Sequence, residues 1–221
     1  MKFREMDLGE ALHIKHGYAF KGEFFSDGET ENILVTPGNF KIGGGFKSDK
    51  LKYYSGEVPT GYILQTHDVI VTMTDLSKEA DTLGYSAVVP AITGKKLLHN
   101  QRLGRVTCKS NSADIMFINW LLRTEEYRWQ IIGSASGSTV SHTSPSRILE
   151  YPFLLPPLPE QRAIAGVLSS LDDKIGLLHR QNKTLEEWPR LSGGRCLWKM
   201  QTLGGRRESW GILFPLALER A

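Results

Sequence analysis

Three prolines, Pro156, Pro157 and Pro159, followed at once by a long periodic stretch, constrain this 221-residue chain more than any other feature. A proline ring fixes φ and removes the backbone donor, so the element before Pro156 must end there. Pro159 suits the first helical position, where its missing N–H costs nothing. Glu160 in the first turn complements the positive end of the helix dipole. From there Ile164, Leu168, Leu171, Ile175, Leu178, Asn182 and Leu185 recur at alternating steps of four and three. That spacing predicts a heptad seam, with Leu168, Ile175 and Asn182 at a positions and leucine or isoleucine at every d position. Charged and polar side chains such as Asp172, Asp173, Lys174 and Arg180 take the other faces. A helix about 40 Å long with so narrow an apolar stripe calls for a partner helix, although packing on its own domain also answers the pattern. Asn182 at a buried a position costs stability and fixes register or partner number.

Upstream, residues 1–155 read as an α/β or α+β domain with a mixed sheet. Short β-rich runs recur at Asn32–Val35, Gly61–Leu64, Val69–Met73, Ala87–Val89 and Gly104–Cys108. Turn signals separate them, among them Pro37-Gly38-Asn39, Gly43-Gly44-Gly45 and Thr93-Gly94. One helix is predicted from Ser112 to about Ile132, with a broad apolar stripe that includes Ile115, Ile118 and Leu122. A Gly/Ser-rich stretch over residues 133–147 follows as a long loop, and no internal repeat is visible. The chain therefore divides into a globular domain over 1–155, a long coiled-coil-forming helix over 156–187 and a tail over 188–221.

Composition excludes several classes. Hydrophobic residues make up 40% of the chain, enough for a core. No stretch approaches the roughly 18 consecutive apolar residues of a membrane helix, and the start MKFREMDLGEALH lacks a secretory signal's apolar run, so the chain reads as soluble and cytoplasmic with no membrane partner. Cys108 and Cys196 stand far apart, with neither CxxC spacing nor paired histidines, and predict no disulfide framework or metal site. The net charge of +3 misleads, because residues 188–221 carry +4 and leave 1–187 at −1. Binding to nucleic acid must therefore rest on locally grouped cations. Enzyme readings find no support: there is no Asn-Pro-Pro-Tyr motif, no glycine-rich cofactor loop after a strand and no Asp…Glu-x-Lys cluster. No cofactor is implied. Asp68 and Asp75 are conceivable carboxylate partners, but Asp68 is better read as closing a turn before a buried strand.

The segment LPPLPEQRAIAGVLSSLDDKIGLLHRQNKTLEE resembles the helical segment that follows each target-recognition domain in the specificity subunits of type I restriction–modification systems. Weaker signals agree in order: Gly17-Tyr18-Ala19-Phe20-Lys21-Gly22 is similar to a "G-x-A-F-K-S" turn, and His67–Thr74 to "G-D-I-L-V-T-M-T", with His67 in place of the usual glycine. Asn100-Gln101-Arg102 resembles an "N-Q-R" segment, and Gly137-Ser138-Thr139 ahead of Ile148 and Pro152 fits the run into the helix. The resemblance covers residues 1–187. It implies a non-catalytic DNA-recognition subunit that binds half of a bipartite double-stranded target and recruits methyltransferase and restriction subunits. Family members carry two such halves, with their helices antiparallel as a spacer. A single half implies either a homodimer mimicking the full subunit or a truncated product, an interaction remnant that binds the methyltransferase without directing specificity.

At Trp188 the match stops. The run WPRLSGGRCLWKMQ has an encoding that, one base out of frame, reads Met-Ala-Glu-Ala-Leu-Arg-Arg-Ala-Met-Phe-Val-Glu-Asp-Ala, which is similar to the family's continuation. A frameshifted, poorly ordered tail over residues 188–221 is therefore the expectation.

Sequence readout needs polar and cationic side chains on loops held by a rigid scaffold. Three segments qualify. Residues 39–52 carry Lys41, Lys47, Lys50 and Lys52 around a triple-glycine turn whose backbone amides are candidates for phosphate contact; a solvated hairpin is the alternative. Residues 94–109 contain no acidic residue and supply Lys95, Lys96, Asn100 and Arg102, with scaffold an equal possibility for the Asn-Gln-Arg piece. The third is the Ser/Thr/Gly loop with Ser138 and His142, which serves equally well as a connector.

Overall fold

The structure, a computed structural model, describes residues 3–75, 77, 79–137 and 140–191, the last four of these by backbone alone. The tail expectation and Ser138 lie outside the residues whose structure is described, apart from the backbone of 188–191. In chain order come β1 (Arg4–Asp7), α1 (Leu8–Ala11), β2 (Leu12–His16), β3 (Phe25–Ser26), β4 (Asn32–Val35), β5 (Lys52–Tyr54), β6 (Ile63–Leu64) and β7 (Val69–Thr72). There follow β8 (Thr74–Asp75), β9 (Ser86–Val88), β10 (Lys96–His99), β11 (Leu103–Cys108), α2 (Ile115–Leu121) and α3 (Glu125–Gly133). The chain then forms β12 (Ser141–His142), α4 (Pro145–Leu149), β13 (Pro152–Leu155) and α5 (Leu158–Leu191).

Two sheets make the body, a five-stranded one in the order β3-β5-β4-β10-β6 and a four-stranded one in the order β2-β11-β7-β9. The first is mixed: β4 and β10 run parallel, with Asn32 beside Lys96 and Val35 beside His99, while the other neighbours are antiparallel. Side chains alternate across a strand, and that alternation divides the core. In β7, Val69 and Val71 face the helical side with Leu122 and Ile131, whereas Ile70 packs with Val35, Phe40 and Leu103 between the sheets. Burial on both faces is why VIVT reads as an unbroken apolar run. Leu34 and Leu98 turn to the opposite face of the five-stranded sheet, where they meet Phe20 and Tyr54.

The predicted helix over Ser112–Ile132 is two helices. Asp114 caps α2, its carboxylate accepting from the backbone N–H of Met116 and Phe117 at 3.0 Å each. Thr124 then caps α3 with Glu125 and Glu126 in its first turn, which suits the helix dipole. The Gly/Ser-rich stretch is also more regular than a loop, holding β12 and then α4, capped by Ser144 with Pro145 in its first turn.

The described residues form two compact units that meet between Ser170 and Leu171 in the chain. Within the first unit, the root of α5 is held by Gln161, which is fully buried. Its Oε1 accepts from the Asp114 N–H at 2.7 Å, and its Nε2 donates to the carbonyls of Ser112 at 2.9 Å and Pro156 at 2.8 Å. One turn on, Ala165 is buried and Trp120 donates its indole N–H to the Ser169 hydroxyl at 3.0 Å. Ile164 points away from this contact and is 41% exposed. Within the second unit, Leu171, Ile175, Leu178, Asn182 and Leu185 are all exposed. Within the first unit, then, α5 is held through Gln161, Ala165 and Ser169, while of its two seam residues Ile164 is exposed and Leu168 half-buried. Among the described residues no helix is long and apolar enough to cross a membrane.

Candidate nucleic-acid interface

Parallel pairing of β4 and β10 sets their carboxyl ends side by side, so the turns after them, Thr36-Pro37-Gly38 and Asn100-Gln101-Arg102, are neighbours. In open α/β sheets this is the position at which ligands bind. A cleft of about 360 Å³ opens there. Phe20, Phe25 and Leu34 supply its apolar lining, and Lys50, Lys52 and Arg102 its cations. All three cations are exposed, and none has a side-chain partner among the described residues. The aromatic lining is braced from behind: Tyr54 meets Phe20 edge to face at 5.0 Å and Phe25 at 6.3 Å.

Two turns fix the cationic loops. Asn39 is buried; its Oδ1 accepts from the Thr36 N–H at 2.9 Å, and its Nδ2 donates to the carbonyls of Lys47 and Lys50 at 3.3 and 3.2 Å. On the other side Asn100 is buried and accepts the Arg102 N–H at 3.0 Å. The Gly17 turn lies against this segment: Tyr18 donates to His99 and accepts from Gln101, both at 2.9 Å. A Cβ on Gly17 would come within 2.0 Å of the Asn100 carbonyl oxygen, so only glycine fits. The two motifs that looked separately weak in the sequence are halves of one contact, and Asn100 serves as scaffold beneath Arg102.

The segments chosen from sequence therefore sort themselves. Lys50, Lys52, Asn100 and Arg102 meet at the cleft. Lys95 and Lys96 lie at the opposite end of β10, where Lys95 pairs with Glu29 at 2.6 Å and Lys96 with Glu31 at 3.0 Å. The stretch that is most cationic along the chain is largely neutralised in space. Lys41 is exposed and Lys47 half-buried, outside the cleft lining. The triple glycine departs from its expected role. Gly44 donates its amide within the turn to the Lys41 carbonyl at 3.0 Å, and Gly45 donates to the Ser86 carbonyl of β9 at 2.8 Å. Their φ of 87° and 92° is what requires glycine, and the Arg123 side chain crosses Gly44 with its Nε donating to the Gly43 carbonyl. His142 belongs to the small β8–β12 sheet, its Nδ1 3.2 Å from the Thr74 hydroxyl.

Asp68 closes a turn, as its sequence position suggested: its carboxylate accepts from the Gln65 N–H at 2.9 Å. His67 beside it stands at φ 71°, the left-handed conformation that explains why glycine is usual there. Asp75 is equally structural. Burial alone raises its pKa, but hydrogen bonds from Ser77 and Thr82 outweigh burial and hold the carboxyl below its ordinary value. His99 is buried with its Nε2 3.0 Å from the Leu103 carbonyl, and burial lowers its pKa to about 4, so the ring is neutral at physiological pH. A larger groove of about 720 Å³ lies at the root of α5 without a comparable set of cations. There Arg162 faces Asp114 at 3.8 Å and Lys109 donates to the Gly9 carbonyl.

A mixed sheet bearing a cationic cleft on rigid turns is followed in the chain by a long helix whose Leu171, Ile175, Leu178 and Leu185 are exposed. The chain belongs to the type I restriction modification DNA specificity domain family, whose model matches residues 2–187. It is 28% identical over 187 residues to the EcoBI specificity subunit of the type I restriction enzyme of Escherichia coli, covering 84% of this chain and 35% of that one. Among solved structures it shares a fold with the S subunit from M. genitalium, with a TM-score of 0.55 and 17% identity over 91% of this chain and 50% of that one. The HsdS subunit from Thermoanaerobacter tengcongensis gives a TM-score of 0.52 and 16% identity over 86% and 42% of the respective chains. The chain thus spans about a third of the curated relative and half or less of these structures.

Proposed function

We propose that this chain is the DNA sequence-recognition component of a type I restriction–modification complex, reading half of a bipartite target. The observation that carries the reading is the convergence of Lys50, Lys52 and Arg102, three cations without partners among the described residues, on one cleft of a domain in the specificity family. Arginine and lysine pair with guanine edges or with phosphates, and the turns beneath them hold those side chains in place. The exposed seam of α5 supports the second half of the proposal. Ile164, Leu171, Ile175, Leu178 and Leu185 are 41–62% exposed, an apolar stripe that pairing with a second copy would bury. Two copies joined this way set the spacing between half-sites and recruit the methyltransferase and restriction subunits.

Residues 1–187 carry a net charge of −1 and Lys95 and Lys96 are ion-paired. These facts favour weak DNA binding by the isolated chain, and they also suit a second reading, a remnant that binds the methyltransferase without directing specificity. Co-expression with the cognate methyltransferase subunit and genome-wide mapping of methylated adenines separates the two. A palindromic, interrupted motif is the expected result. Absence of any motif, with the methyltransferase still co-purifying, would leave only the second reading.

A further inference from the structure

The cleft has a chemistry more particular than a positive surface. Its volume of about 360 Å³ falls at the lower end of the roughly 300–1,000 Å³ of small-ligand sites, room for one nucleotide and not for a stacked pair. Phe25 is 47% exposed at its mouth, with Phe20 and Leu34 buried behind it, so one exposed aromatic ring on an apolar backing is available to a planar group. Gln101, another lining residue, holds its Oε1 buried with no donor among the described residues. An unmet buried acceptor is costly, and a turn of the Gln101 side chain towards the cleft would offer it to the amino or imino N–H of a base. Cations, aromatic face and orphan acceptor together match a phosphate, a base plane and a base edge.

We infer that the cleft takes a single unstacked nucleotide of the bound DNA, its base against Phe20, Phe25 and Leu34 and its phosphate among Lys50, Lys52 and Arg102. This rests on the reading of the chain as a DNA-recognition module. Base–aromatic stacking tolerates any base because every base has a π face, so Gln101 is left to discriminate. Removing a nucleotide from the stack is cheapest at a mismatch or in a single strand, which makes single-stranded or mismatched DNA the better ligand.

The test is calorimetric titration of the full chain with each of the four deoxynucleoside 5′-monophosphates. At least one should saturate in the millimolar range, with its deoxynucleoside and inorganic phosphate each about tenfold weaker. Phe25→Ala, at an exposed position that leaves the core intact, should weaken that binding about tenfold, the scale of one lost base–aromatic stack. A short single-stranded oligonucleotide should displace the nucleotide. The inference is overturned if none of the four saturates, if phosphate alone binds as well, if Phe25→Ala binds unchanged, or if oligonucleotides fail to displace the nucleotide. Anisotropy of a mixed-sequence duplex in the same buffer keeps the two ideas apart. Duplex binding that is lost in Lys50→Ala/Lys52→Ala, without mononucleotide binding, would sink the single-nucleotide cleft and leave DNA recognition standing; loss of both sinks both.

Discussion

Replacing Gln161 by methionine tests how α5 is fastened to its domain. The side chain is fully buried and makes three hydrogen bonds, to Asp114 N–H, Ser112 O and Pro156 O. Methionine keeps the length and volume of glutamine, so a cavity contributes little, and the change isolates the polar contacts. Each hydrogen bond is worth about 1 kcal/mol net, and each buried partner left unmet adds a desolvation cost. The Ser112 and Pro156 carbonyls and the Asp114 N–H all lose their partner, which sums to about 3–4 kcal/mol. With a urea m-value of about 2 kcal/mol/M, the unfolding midpoint of the domain should fall by about 1.5–2 M. Far-UV circular dichroism in urea reads this directly, with the exposed Ser170→Ala as control. A loss within about 1 kcal/mol of that control would refute the reasoning, because it would mean that water or a shifted backbone replaces all three contacts.

At φ 71°, His67 occupies a conformation that β-branched residues strongly avoid, so His67→Val should destabilise by about 1–2 kcal/mol while His67→Gly matches or exceeds the parent in a thermal melt; equal melts for Val and Gly would contradict this. Stability should fall as pH drops from about 6.5 towards 4. The pKa of His99 is lowered on folding to about 4, the unfolded chain binds the proton first, and the contribution present above pH 6.5 is lost on the way down. His99→Gln, able to donate to Leu103, should flatten that slope in urea melts at stepped pH, and an unchanged slope would assign it elsewhere. Leu171→Lys with Leu178→Lys places charge on a seam whose residues are 56% and 44% exposed. Sedimentation velocity should move from dimer towards monomer, and identical profiles would remove the seam from assembly.

The parts of this fold legible in the sequence are those whose signal is local. The strands at Asn32–Val35, Val69–Thr72 and Leu103–Cys108 stand out because β-branched and aliphatic residues crowd between turn residues. Helix α5 is announced by its prolines and its period. Over Ser112–Ile132 the apolar spacing continues across the break, and only the single capping hydroxyl of Thr124 marks it. The cleft was half legible. Lys50 and Arg102 on turns and Lys52 at the start of β5 are visible as cations, but their meeting depends on β4 and β10 pairing in parallel across about 60 intervening residues. Phe25 and Gln101 carried no signal of their own, since an aromatic after a turn and an amide in a motif are ordinary until something opens beside them. The ion pairs of Lys95 and Lys96 were illegible for the same reason, since Glu29 and Glu31 lie far off along the chain.

Those ion pairs have a consequence for how a domain with the proposed DNA-recognition role would meet its target. Lys95 and Lys96 are ion-paired at one end of the parallel strands, while Lys50, Lys52 and Arg102 have no side-chain partner among the described residues at the other, so these two ends offer a polyanion different local charge although residues 1–187 carry a net charge of only −1. A polyanion approaching such a body is turned before it is touched, because the field orients the encounter while the overall charge adds no pull. Salt should then slow productive arrival more than it loosens the finished complex. The paired lysines act like the unmarked end of a compass needle: their quietness tells the other end which way to point.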